Sequence, residues 1–100
     1  MTSAELIEAE CDSIKAILLQ KNAAYGDSAL HPVRLFSKAS VDEQLRVRID
    51  DKLSRIARGA AAGEDVVLDL IGYLVLLRVA ERIHEQPVVV SARDAAGIAR

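Results

Sequence analysis

Apolar residues recur through the first two dozen positions at the spacing of a single helix face: Ile7, Cys11, Ile14, Ile17 and Leu18. Glu5, Glu8, Asp12 and Lys15 fall on the opposite side, while Glu10 and Lys21 sit close to the apolar one. Thr2 and Glu5 have capping-box spacing, so the pattern predicts a helix over about 3–22. A second stripe, Leu45, Ile49, Leu53 and Ile56, advances by four, four and three positions. Ser40 and Glu43 form another capping-box pair ahead of it, and Gly59 is a C-terminal stop, which predicts a helix over 41–58. A third helix is expected over 64–86, opened by the acids Glu64 and Asp65 and ended by Pro87.

This third segment is apolar almost all round from Val66 to Leu77. A surface helix is apolar on one stripe only, so the third helix is expected at the centre. Residues 23–39 form a linker of turn-forming chemistry, Tyr25-Gly26-Asp27-Ser28 and His31-Pro32, with Leu35 and Phe36 expected to tuck it onto the core. Residues 88–100 mix a β-branched triplet with Ala, Gly and charges, and read equally as a docked arm or a disordered tail. The expected fold is therefore all-α: one domain over 1–87, built as a three-helix protomer. Three helices of one short chain do not easily wrap an all-apolar one. A partner subunit is expected to complete a helical bundle, as a homo-oligomer (dimer or tetramer).

Composition narrows the class. Hydrophobic residues make up 51% and charged residues 28%, the balance of a packed globule rather than a disordered tail. The net charge of −2 argues against a duplex nucleic-acid partner, and 3% aromatics argues against a stacking platform for single strands. A lone cysteine, Cys11, allows no intramolecular disulfide framework; on an apolar helix face it is expected to be an inert core residue. The N-terminus carries acids where a secretory signal needs bases. The longest apolar run is interrupted by Asp69 and falls short of the about 20 residues of a membrane span. No membrane partner and a cytoplasmic location are expected.

Three clusters carry candidate chemistry. Asp69 lies inside the most apolar stretch, where an unpaired carboxylate is costly, so it must meet a cation, a metal or several donors. Asp65 stands one turn earlier on the same side and Tyr73 one turn later. Two carboxylates so spaced can share a hard cation such as magnesium; the plainer alternative is a structural bridge from Asp69 to a base of the second helix. In that helix Arg48, Lys52 and Arg55 fall at i, i+4 and i+7 beside the apolar stripe, with Asp51 on the outer edge. Such bases can lay their stems on the core and aim their heads at phosphates, or form a solvated, self-paired face. The third cluster is Tyr25, Asp27 and Ser28, close behind Lys21 and Asn22, a turn able to cradle a sugar or base and equally able to be a turn and nothing more. Glu5 and Glu8 face away from the apolar side. His31 and His84 have no companions at zinc-ligand spacing.

The three clusters together, Lys21-Asn22-Ala23-Ala24-Tyr25-Gly26-Asp27-Ser28, Arg48 to Arg55 and Glu64 to Tyr73, resemble the first type of nucleotide-modification-associated domain, a family of phages and prophages. More distantly the chain is similar to the all-helical MazG-type nucleoside triphosphate pyrophosphohydrolases. Those enzymes hold magnesium with paired acids on adjacent helices; here Arg55 stands where a second acid is wanted, and Ala24 departs from the acid frequent before the tyrosine. The resemblance implies a phage-type nucleotide-binding protein. In its enzymatic version Asp51, Asp65 and Asp69 hold magnesium as the catalytic and metal residues. Arg48, Lys52, Arg55 and Lys21 neutralise phosphates, and Tyr25, Asp27, Ser28 and Tyr73 complete the ligand site. The alternative is a non-catalytic sponge for a linear or cyclic nucleotide signal of host defence; the third option is a structural oligomer.

Overall fold

A computed structural model of the chain describes residues 1–59 and 63–85. These form three helices and no strand: α1 (Ser3–Ala24), α2 (Val41–Arg58) and α3 (Val66–Glu85). The all-α expectation holds. The residues joining α2 to Gly63, the stop at Pro87 and the tail 88–100 lie outside the described residues. Among the described residues no helix is long and apolar enough to cross a membrane.

The helix ends follow the capping chemistry. Thr2 accepts from the Glu5 N–H at 3.1 Å while Glu5 Oε1 accepts from the Thr2 N–H at 2.8 Å, the reciprocal pair that starts α1. Ser40 Oγ accepts from the Glu43 N–H at 3.1 Å at the start of α2. Gly59 ends α2 in the left-handed region (φ 67°), its N–H donating to the carbonyls of Arg55 and Ile56. The third start differs by two residues from the expected one. Asp65 stays outside the helix and its Oδ1 accepts from the Leu68 N–H at 3.0 Å, so α3 begins at Val66.

α2 and α3 pair antiparallel, since Arg55 near the end of α2 meets Glu64 and Asp42 at its start lies beside His84. α1 touches α3 through its C-terminal half. Gly72 permits that approach: a Cβ there would lie 3.1 Å from Leu18 Cδ2. α3 thus touches both other helices, the central place its composition implies. Residues 1–13 are all exposed, and no residue of α1 is buried.

The core is small: among the described residues Leu45, Val66 and Ala80 are the buried hydrophobic ones, with Gly72 between helices. The radius of gyration is 16.6 Å, against about 13 Å for a compact chain of this length. Two expectations fail here. Leu35 and Phe36 do not tuck the linker down; they are 78% and 96% exposed. Polar bonds hold that segment instead, from Arg34 to the Lys38 and Ala39 carbonyls and from Gln44 Nε2 to the Ala39 carbonyl at 3.1 Å. Cys11 is exposed, because no described residue packs on the face of α1 that carries it.

The Gly72 contact sets a stability prediction. Gly72→Val should separate α1 from the α2–α3 pair, read as faster hydrogen exchange from Ile14 to Ala24 with α2 and α3 amides retained. Gly72→Ala should change unfolding free energy by less than about 1 kcal/mol, because the helix-propensity gain offsets the shift asked of Leu18.

Candidate functional site

The C-terminal end of α1 makes one wall of a cleft. Tyr25 closes the helix, its N–H donating to the Lys21 carbonyl at 2.9 Å. Gly26 and Asp27 then both take φ 63°, and the Asp27 N–H reaches back to the Asn22 carbonyl at 3.1 Å. That bond is the long closing bond of a Schellman ending. A left-handed conformation suits Gly26 and is tolerated by Asp, whose short side chain bonds locally. Asn22 Nδ2 donates to Asp27 Oδ1 at 2.7 Å, and His31 Nε2 lies 3.3 Å from the other carboxylate oxygen. The Asp27 side chain is therefore aimed by its neighbours.

α3 supplies the floor. Asp69 sits where α1 and α2 both reach α3: Lys52 Nζ is 3.4 Å from Oδ2 and Lys21 Nζ is 3.8 Å from Oδ1. Lys52 is 14% exposed and is shared with Glu64 at 3.7 Å. Lys21 is 51% exposed, so it is the looser of the two partners. One turn along, the Arg48 guanidinium lies over the Tyr73 ring, 5.9 Å from its centroid. A guanidinium stacked by its face keeps its in-plane N–H groups free for an anion.

These walls enclose a cleft of about 420 Å³. α1 and its turn contribute Lys21, Asn22, Tyr25, Asp27 and Ser28; α2 contributes Arg48; α3 contributes Asp69, Gly72 and Tyr73. Ile17, Leu18, Leu68 and Leu76 give it an apolar base. Its size and its mixture of apolar lining with a few convergent polar groups are those of a small-molecule site. Seven of the residues singled out in the sequence therefore meet in one place, with Lys52 just behind Asp69.

The other candidates do not join them. Asp51 pairs with Arg55 on its own helix, Oδ2 to Nε at 3.2 Å, and Arg55 turns on to Glu64. Asp65 is spent capping α3. Asp69 faces two ammonium groups. Among the described residues no three His, Cys, Asp or Glu side chains are brought together as a metal site. The expected trio of Asp51, Asp65 and Asp69 does not fit a magnesium ion, because each acid serves a different local partner. Glu64 carries two of the bases and was not singled out from sequence; only the fold brings it back against α2. Asn22 likewise gains its role from the turn.

No protein-family model, curated protein or solved structure matches the chain.

The Asp69–Lys52 contact is partly screened by solvent and is worth about 1 kcal/mol. A double-mutant cycle with Asp69→Asn and Lys52→Met, followed by thermal unfolding, should return a coupling of about that size. Lys21→Met should couple to Asp69→Asn by less than half as much.

Proposed function

We propose that this chain binds a nucleotide, or a small molecule derived from one, in the cleft between α1, α2 and α3, and holds it without cleaving it. The observation that carries the proposal is the convergence of Lys21 and Arg48 with Tyr25, Tyr73, Asp27 and Ser28 around one cleft. A nucleotide asks for that mixture. Lys21 and Arg48 suit phosphate oxygens, the two rings offer faces to a base, and Asp27 and Ser28 accept from sugar or base donors. The resemblance of the same segments to nucleotide-modification-associated domains points to the same ligand class and to a phage setting, where intact retention of a nucleotide signal is a useful activity. Retention is favoured over hydrolysis because the acids that would hold magnesium are engaged apart from one another.

Calorimetry against linear and cyclic nucleotides, with magnesium and again with chelator, tests this. Binding that ignores the chelator, with ligand recovered intact, is expected. Release of pyrophosphate that requires magnesium would instead support the pyrophosphohydrolase. Arg48→Ala should weaken binding about 10- to 100-fold, the loss of a charge-assisted hydrogen bond.

Self-association belongs to the same proposal. α2 turns Lys52 and Arg55 toward α3, leaving Leu53 and Ile56 48% and 45% exposed, and α3 leaves Val67 and Leu74 uncovered one above the other. The projecting half of α1 is about as short as helices that are marginal alone in water. Light scattering on the eluting protein should give a small multiple of 10.8 kDa, a dimer or tetramer; a 10.8 kDa particle would overturn the oligomer.

A further inference from the structure

We infer that the cleft selects nucleotides of low phosphate charge, monophosphates over triphosphates of the same base, with Asp27 and Asp69 acting as fixed repellers. This rests on the nucleotide-binding proposal above and names the ligand class within it.

The charges lining the cleft are Lys21 and Arg48 against Asp27 and Asp69, which cancel among the described residues. Lys52 stands behind Asp69 but is divided between that carboxylate and Glu64. One phosphate can be matched by Lys21 and Arg48. Each further phosphoryl group adds negative charge with no base in the lining left to meet it, next to carboxylates that repel it.

The four charged groups differ in freedom, and this gives the selection a direction. Asp27 cannot swing aside: its backbone is set at φ 63° and its carboxylate is held by Asn22 at 2.7 Å. Asp69 is anchored by Lys52, a mostly buried base. Lys21 is half exposed and only 3.8 Å from Asp69, so it can leave that contact for a phosphate. Lys21 can move toward a phosphate, whereas the two carboxylates are held by their partners. The two carboxylates are also acceptors, so a bound ligand gains by offering amino or hydroxyl donors, which a nucleoside has and a bare polyphosphate lacks.

The test is calorimetry on the full-length chain at low ionic strength with chelator, using the four ribonucleoside 5′-monophosphates and the four matching triphosphates. The tightest monophosphate should bind at least about threefold more tightly than its triphosphate. Asp27→Asn and Asp69→Asn should each shift the triphosphate-to-monophosphate affinity ratio toward the triphosphate by about 3- to 10-fold, the scale of one unit charge near a solvated site. Asparagine tolerates the left-handed backbone at position 27, so the first variant keeps the turn, and circular dichroism confirms that both variants are folded. A wild-type preference for the triphosphate, or an unchanged ratio in the folded Asp27→Asn variant, overturns the inference while leaving nucleotide binding in place. Binding of none of the eight overturns the inference, and failure of the cyclic nucleotides as well removes the nucleotide-binding proposal with it.

Discussion

A single carboxylate, that of Asp69, ties the three helices together. It is placed on the central helix by the apolar residues around it, and the cost of leaving it unpaired draws a base from each neighbour: Lys52 from α2 and Lys21 from α1. The same contacts explain an oddity of α2. In its C-terminal half Lys52 and Arg55, rather than Leu53 and Ile56, turn toward α3, where Asp69 and Glu64 meet them, while Leu45 nearer the start stays buried. Leucine and isoleucine are then displaced toward water, and the uncovered stripes of α2 and α3 are the physical cost of an ionic seam between them.

That seam also shapes the cleft. With Lys52 on one oxygen of Asp69, the other lies toward Lys21 of α1, and Asp27 lines the same cleft. Arg48 rests on Tyr73 and Lys21 stands at the rim. The result is a pocket with a greasy base and alternating charge around its edge, built from the end of one helix and the middles of two others. Its rim is held by contacts between charged groups, so salt should reach these more readily than it would reach a dry interior.

Much of this was legible in the chain. Capping pairs set the start of α1 and α2, and a lone glycine set the end of α2, because those signals are local and involve neighbours within one turn. The aspartate inside an apolar run announced that it needed partners, though its bridge to Lys52 and its nearness to Lys21 are tertiary facts. The turn Tyr25-Gly26-Asp27-Ser28 was readable as a turn; that its carboxylate takes a hydrogen bond from Asn22 and lies beside His31 was not. The structure does not bring Asp51, Asp65 and Asp69 together, because spacing along a helix does not record which partner an acid takes: Asp65 caps α3 and Asp51 pairs with Arg55. Leu35, Phe36 and Cys11 misled in the other direction. Apolar character predicts burial only where another surface arrives to cover it, and over these residues the described chain brings none.

The attachment of α1 has a thermodynamic corollary. It reaches the helical pair across a linker of sixteen residues, 25–40, so docking closes a long loop against few apolar contacts, one of them at Gly72. The wall carrying Lys21 and Tyr25 is therefore fastened less firmly than the α2–α3 pair. Any guest gripped by Lys21 on one side and Arg48 on the other acts as a crosslink across that weak joint. Occupancy and tertiary order become one equilibrium, in which filling the site raises the free energy of peeling the first helix away.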